Sequence, residues 1–451
     1  MNDLLRHPLA MDGKDPSNLR GDPIPPDRYY TREFMEKEWE HLWTKIWHIA
    51  GREQELKEAG DYITHDFMHE SVIIVRQKDG SLKGFYNACA HRAQRLVWGA
   101  GSQDSFSCPY HGWKFDLEGS VIDLPDRDDY PQGDPVGKLS LIEVRVNTWA
   151  GLVWYTMDDE APDLYKYLEP WPEIYKNFQF EKNMIRTRWL RVALDCNWKF
   201  WSDNFNESYH TRTAHPQVPP IIDQDHFSSY YEMYPMGNNR IVQMGRPSIR
   251  DQVPEGQPHP FDNELKAWDI DPDSYPNYEA KAIQGWLDLK AAKRSLWKEK
   301  GYLHYEYLTD EELTESPFTT VFPNVAFGAG SDSLGIFRWE PHPTDPEKCF
   351  FDEWTLMWPV EGVEDTVLRT ARYDMKIEEA EFDFREYDNG KNVQDLDDQV
   401  VFQDWALNAG QKAGWRSRGY QEPYLAGQET RVRRFHEVLN DYLAGNPPGR
   451  D

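Results

Sequence analysis

From Thr31 onward the apolar residues Phe34, Met35, Trp39, Leu42 and Ile46 recur near helical spacing, and Thr31 can cap the first turn, which predicts a helix over residues 31–47. From about residue 61 to 156 the texture changes. Residues 72–75 form a short unbroken apolar run, Asp79-Gly80 is a hairpin turn signal, and residues 149–155 read as a further strand, so this stretch reads as a small β domain. Residues 158–172 turn acidic and proline-bearing, as a domain junction would. Beyond about residue 175 strands mix with helices. Pro and Asp crowd residues 247–276, which predicts an insertion or long surface loop, and residues 277–300 read as helical. An amphipathic helix over residues 429–443 places Val432, Phe435, Leu439 and Tyr442 on one side, with Gly445 positioned to stop it. No apolar run approaches the roughly 18 residues that span a bilayer, and residues 1–30 lack the apolar core of a signal peptide.

Composition narrows the class. At about 150 residues per domain, 451 residues suggest two or three domains. With 50 Lys+Arg against 78 Asp+Glu the net charge is −28, which argues against nucleic acid or an anionic membrane as partner, since both demand basic surface. Aromatics at 14% argue against disorder. Four cysteines are too few for a secreted disulfide scaffold, and the expected compartment is a reducing cytoplasm.

The cysteines therefore need individual readings. Cys89-Ala90-His91 and Cys108-Pro109-Tyr110-His111 form C-x-H, sixteen intervening residues, then C-x-x-H. Each loop offers one thiolate and one imidazole. Two thiolates can hold one iron of a [2Fe–2S] cluster while two neutral imidazoles hold the other. A structural zinc site is the competing reading, but such sites usually open with a paired-cysteine knuckle. Cys196, in an apolar stretch, reads as a small buried hydrophobe, and Cys349 has no evident partner.

A second constellation lies downstream: Asn197-Trp198-Lys199, then Asp203-Asn204-Phe205-Asn206-Glu207-Ser208-Tyr209-His210, then His215. Two histidines and one carboxylate with open positions define a non-haem Fe(II) site that activates O₂. His210 and His215 are five positions apart, about 140° off one helical face, so both reach one metal only if the helix ends or bulges between them. Pro216 and the β-branched Thr211 and Thr213 favour an ending. By itself an H-x₄-H pair fits a structural role as well. Asp395, Asp397, Asp398 and Asp404 are candidates for the distant carboxylate. The first three lie in a polar run and read as solvated loop, whereas Asp404 sits among apolar residues. His226, His259, His304, His342 and His436 are assigned to no metal.

The two constellations together resemble the Rieske non-haem iron oxygenases, large (α) subunit, of the aromatic-ring-hydroxylating dioxygenase family. Asn87, Arg92, Leu96 and Gly112-Trp113 extend the cluster motif, with Ala93 where the family commonly has glycine. The resemblance implies that Cys89, His91, Cys108 and His111 hold the cluster and that His210, His215 and Asp404 hold a mononuclear Fe(II), Gly414 and Ser417 supporting the last choice. It implies that Glu207 is the bridging carboxylate between the two metal sites, with Asp203 and Asn204 as further catalytic candidates; for Asp203 a solvated or capping role is the alternative. Phe200, Trp201, Asn204, Phe205 and Phe402 flank the ligands and are candidates for the pocket wall. The implied fold is α+β: an N-terminal arm and helix (1–45), a Rieske β domain (46–160), then a catalytic domain (161–451) with an antiparallel sheet flanked by helices. The implied activity is hydroxylation of an aromatic or hydrophobic small molecule, using O₂ and electrons passed from NAD(P)H by a reductase or ferredoxin. Oxidative demethylation or attack on a quaternary amine is the second reading, encouraged by glutamate at position 207. A Rieske electron carrier without oxygenase activity is the third. The expected assembly is a homotrimer, α₃, with α₃β₃ as the other arrangement, and no membrane or nucleic acid is involved.

Overall fold

The computed structural model describes residues 19–226, 228–250, 259–367, 373–386 and 399–449. The chain divides into two compact units, one built on Glu36–Leu168 and a larger one on Glu169–Pro448 together with the segment ending at Met35.

The first helix, α1, covers Arg32–His41 only; a single turn at Trp43–Lys45 follows, and Trp47 already opens strand β1 (Trp47–Arg52). The helical spacing misleads here because Leu42, Trp43, Ile46 and Trp47 are buried whatever the backbone does. The smaller unit continues with β2 (Asp61–Phe67), β3 (Glu70–Arg76), β4 (Leu82–Tyr86), β5 (Ala100–Ser102), β6 (Phe106–Ser107), β7 (Lys114–Phe115), β8 (Val121–Asp123), β9 (Glu143–Trp149) and β10 (Leu152–Thr156). Seven of these form an antiparallel sheet in the order β1-β10-β9-β4-β3-β2-β5, and β6-β7-β8 form a second, smaller one. The Asp79-Gly80 turn joins β3 to β4 as expected, Gly80 taking φ +86°. Residues 149–155 are not one strand. Ala150 and Gly151 both adopt positive φ (58° and 72°) and make a tight hairpin between β9 and β10. Alanine at such a position carries no turn signal, which is why the pattern conceals it.

Helix α2 (Leu164–Tyr167) closes the smaller unit; in the larger unit the helices are α3 (Trp171–Ile174), α4 (Lys199–Phe205), α5 (Thr211–Ala214), α6 (Pro260–Ala267), α7 (Tyr278–Ala280), α8 (Trp286–Leu296), α9 (Gln399–Trp415) and α10 (Thr430–Leu443). Helix α6 replaces part of the loop expected over residues 247–276; proline at its start supplies the helical φ without losing a needed N–H. The helical stretch expected over 277–300 is present but passes through a π-type turn at Lys281–Gly285. Helix α10 stops as predicted, with Gly445 at φ +77°.

The sheet of this unit has eight strands: β11 (Ile185–Leu194), β12 (Tyr230–Met233), β13 (Asn239–Gln243), β14 (Ser316–Val321), β15 (Val325–Ala329), β16 (Ser333–Pro341), β17 (Cys349–Met357) and β20 (Asp383–Glu386). A separate ribbon pairs β18 (Asp365–Val367) with β19 (Tyr373–Lys376). The order is β12-β13-β14-β15-β16-β17-β11-β20, antiparallel except for the β11–β20 pair. Alternation sorts the two faces. Phe337, Trp339 and Phe351 pack with Phe205 of α4, and Trp339 Nε1 donates to Ser202 Oγ at 2.7 Å, so α4 is pinned to this face. The alternate residues Arg338, Glu340 and Asp352 join Arg191 in a mostly buried ion network, with Arg191–Glu340 at 2.7 Å and Arg338–Asp352 at 2.8 Å. Cys349 finds a neighbour that the sequence conceals: its Sγ lies 3.6 Å from Cys196 Sγ, both thiols free and buried.

Candidate metal centres

The two Cys/His loops of the smaller unit are built alike. Cys89 N–H donates to Gln94 O (2.9 Å) and Ala93 N–H to Cys89 O (2.9 Å); Cys108 N–H donates to Trp113 O (2.7 Å) and Gly112 N–H to Cys108 O (3.0 Å). In each loop the residue four beyond the cysteine has positive φ, 58° at Ala93 and 72° at Gly112. This explains the glycine common at the first position: a left-handed alanine costs roughly 1 kcal/mol. Asn87 ties the first loop down, donating to Val97 O at 2.7 Å and accepting from Leu96 N–H at 2.9 Å.

The cysteines are buried in the core of this unit, and the two histidines are partly exposed. Their rings meet edge to face with centroids 4.7 Å apart, and Trp113 stacks on His91 at 4.9 Å. Burial, and then the adjoining Cys108, raises the Cys89 pKa. Burial, then His111 and Arg92, lowers that of His91 and favours the neutral imidazole that binds metals. Among the described residues His91 Nδ1 is buried without a hydrogen-bond partner. Two inner thiols and two outer imidazoles, one with an orphaned nitrogen, fit a [2Fe–2S] cluster.

In the larger unit His210 precedes the single turn α5, and His215 follows it at φ −126°, leaving the helix. The helix thus ends between them, which the five-residue spacing requires. His210 Nδ1 donates to Glu207 Oε1, and Glu207 Oε2 accepts the His210 backbone N–H at 3.1 Å. His215 Nδ1 donates to Gln403 Oε1 at 2.7 Å, the same oxygen accepting from Gln217 Nε2 at 2.7 Å. With both Nδ1–H groups engaged, both Nε2 lone pairs are left for a metal. They turn to Asp404 on α9: Asp404 Oδ1 is 3.0 Å from His215 Nε2 and 3.6 Å from His210 Nε2. One ligand atom from each of His210, His215 and Asp404 lies within 4.8 Å of the others. Asp404 Oδ1 is buried and accepts no hydrogen bond among the described residues. A buried carboxylate facing two imidazole lone pairs fits a bound cation, and this donor set suits Fe(II). Burial lowers the His210 pKa, but hydrogen bonding and charge from Glu207, then the charge of Asp404, outweigh it and raise the pKa overall.

Asp203 is not in this group. Its carboxylate accepts from Tyr29 OH at 2.6 Å and His436 Nε2 at 2.9 Å, so it anchors α4 to α10 and to the segment around Tyr29. Asn204 is half-buried, with no side-chain hydrogen bond among the described residues. Asp395, Asp397 and Asp398 lie outside the described residues. Gln403 was missed in the sequence; its position one residue before a candidate ligand on an apolar helix was the available signal. Gln403→Leu is expected to weaken iron binding by about 10–100-fold while cluster absorption is unchanged, as metal titration of the variant would measure.

A cavity of about 330 Å³ is lined by residues close in sequence to these ligands, although none of His210, His215 and Asp404 is itself in its wall. Val218 and Ile221, just beyond His215, and Val401, one turn before Asp404, form part of its wall. Gly328 and Gly335, paired across β15 and β16, also line it, and the lack of side chains there opens space. The residues expected at the wall stand elsewhere. Phe205 and Trp201 pack against Phe351, and Phe402 against Trp405, in the aromatic core, because α4 turns its rings toward the sheet.

Residues 176–445 match the family described as ring hydroxylating alpha subunit (catalytic domain), and residues 46–143 match the Rieske [2Fe-2S] domain. The carnitine monooxygenase oxygenase subunit of Escherichia coli (strain K12) is 33% identical over 212 residues, 45% of this chain and 54% of the relative. Biphenyl 2,3-dioxygenase subunit alpha of Rhodococcus jostii (strain RHA1) is 32% identical over 194 residues, 42% of each chain. These matches span about half the length of the curated relatives. Among solved structures, the quaternary ammonium Rieske monooxygenase CntA in complex with L-carnitine aligns with a TM-score of 0.64 at 19% identity, covering 94% of this chain and 97% of that one. Naphthalene 1,2-dioxygenase from Rhodococcus sp. aligns with a TM-score of 0.62 at 20% identity, covering 94% and 95%; these likenesses show the fold. The chain belongs to the ring-hydroxylating α-subunit family of Rieske oxygenases, whose members join a Rieske [2Fe–2S] domain to a catalytic domain that binds mononuclear iron. Among the described residues no helix is long and apolar enough to cross a membrane.

Proposed function

We propose that this protein is the terminal oxygenase component of a multi-protein system, hydroxylating a small hydrophobic molecule with O₂ and electrons from a NAD(P)H-dependent reductase or ferredoxin. The observation that carries this reading is the convergence of His210, His215 and Asp404 in a chain that also has the paired Cys/His loops. Cys89, His91, Cys108 and His111 would hold the cluster; His210, His215 and Asp404 would hold the iron. When bound, the cluster supplies single electrons and the iron supplies a site for O₂ activation.

The chain's own residues do the rest. Glu207 fixes the His210 tautomer, and Gln403 fixes that of His215. The Glu207 side chain keeps slight solvent exposure, and Tyr209 beside it is exposed. In a ring of subunits that carboxylate is therefore available to a Rieske histidine of a neighbour. This supports a homotrimer, with α₃β₃ as the other arrangement. The division into an arm (1–45), a cluster domain (46–160) and a catalytic domain (161–451) belongs to the same proposal. So does a cytoplasmic location, where Cys89 and Cys108 stay reduced for cluster assembly.

An aromatic or otherwise hydrophobic substrate is the first reading. Oxidative demethylation or amine oxidation is the second reading, favoured by glutamate at position 207. Iron and acid-labile sulfide analysis after anaerobic reconstitution is the test. About three irons and about two sulfides per chain are expected. A ratio of about two to two would leave only the electron-carrier reading, and absence of sulfide would leave zinc. Isotope-labelled O₂ with mass spectrometry then separates insertion of one oxygen atom from insertion of two.

A further inference from the structure

Two of the three candidate iron ligands come with a side chain that holds them: Glu207 fixes His210 and Gln403 fixes His215, each through Nδ1. The third, Asp404, has no such support. Among the described residues its carboxylate has no polar partner other than the two imidazoles, and Oδ1 accepts no hydrogen bond. Carboxylates that ligate a metal are ordinarily hydrogen-bonded themselves, and that bond fixes which oxygen faces the ion.

The same helix carries an amide with both ends unspent. Asn408 follows Asp404 by four positions on α9, about 40° round the axis, so the two share a face. The buried residues beside them on that face, Val401, Trp405 and Trp415, are apolar. Asn408 is 0% exposed, and among the described residues neither its Nδ2 nor its Oδ1 has a hydrogen-bond partner. An unbonded buried amide is costly and asparagine is a weak helix former, so neither the core nor the helix calls for one here. Leucine, with the same branching and the same number of heavy atoms, would serve both better. Side chains on a helix slope toward its N-terminus, and from position 408 that slope leads back to Asp404. At this spacing an amide reaches a carboxylate by rotation about its own side-chain bonds.

We infer that Asn408 is a positioning residue of the mononuclear site: its Nδ2 donates to the Asp404 carboxylate and so holds Oδ1 toward the ion. This rests on His210, His215 and Asp404 being the ligand set. Each ligand then has one side chain behind it, a carboxylate for His210, an amide for His215 and an amide for Asp404. The bond from Asn408 is charge-assisted and lies in a buried setting, where such bonds are strong. Asn408 acts through Asp404 and does not itself touch metal or substrate.

Anaerobic calorimetry with ferrous ion tests this, on full-length protein that carries its cluster but has had mononuclear iron removed by a chelator. Thermal melting is measured before iron is added. Asn408→Leu is expected to bind ferrous ion about ten-fold more weakly than the wild type, with cluster absorption unchanged. Its melting temperature before iron is added should equal or exceed that of the wild type, because an unbonded buried amide gives way to an apolar group. A residue that only packs the core would give the reverse, a lower melting temperature with unchanged iron affinity. Iron affinity within about two-fold of the wild type would overturn the inference, and so would a variant that melts lower or fails to fold. If the wild type took up no iron beyond the cluster, the ligand set would fall and the inference with it. Normal uptake by both proteins would remove Asn408 alone.

Discussion

Replacing Asp404 by alanine is expected to empty the mononuclear iron site and leave the cluster intact. His210 and His215 are held by Glu207 and Gln403 through their Nδ1 atoms, so the variant keeps two oriented imidazoles. It loses the anionic ligand, and with it most of the attraction for a dication in a buried site. Iron should fall from about three to about two per chain, with turnover lost. Visible absorption should persist, because Cys89, His91, Cys108 and His111 belong to the other unit. Asp404 is 4% exposed and Oδ1 has no hydrogen bond among the described residues, so little structural bonding is forfeited and the fold should survive. Unchanged iron content would remove Asp404 from the ligand set.

A different signature is expected of Glu207→Gln: both metal centres occupied, but turnover down by about 10² or more. The substitution is isosteric, and the amide oxygen can still accept from His210 Nδ1, so metal retention should be near normal. What disappears is the charge and one acceptor oxygen, the one that takes the backbone N–H groups of Tyr209 and His210, and with it, on the proposed bridging role, the capacity to accept an N–H from a neighbouring subunit. The removed charge also acts on His210: Glu207 and Asp404 together raise its pKa against burial, so the variant's imidazole should be less basic. Single-turnover measurements on reduced protein would locate the defect. Slow cluster oxidation with normal substrate binding is the expected outcome, and Glu207→Asp should restore part of the rate. A Gln variant within a few-fold of the wild type would sink the bridging role.

The parts of the site that are local in the chain follow from residue order alone. The two Cys/His loops are legible because each closes on itself through hydrogen bonds four and five residues apart, so spacing alone sets which side chains converge. The Ala93 departure is legible for the same reason, since its φ of 58° is a property of a six-residue loop. His210 and His215 can face one point because one helical turn ends between them, an ending that Thr211, Thr213 and Pro216 signalled. Local patterning failed where burial hid a change of backbone, in the hairpin at Ala150-Gly151 and after His41. The rest depends on how distant segments pack. Asp404 meets His215 across 189 positions, and Gln403 selects the histidine tautomer from the same helix. Asp203, four residues from Glu207, turns instead to Tyr29 and His436. The cavity joins Val218, Lys293, Gly328 and Val401, residues drawn from distant stretches of the chain. Ligand spacing within a loop is set by covalent geometry and turns, whereas a pocket is the space left when sheet and helices pack, and no local pattern encodes which residues will face it.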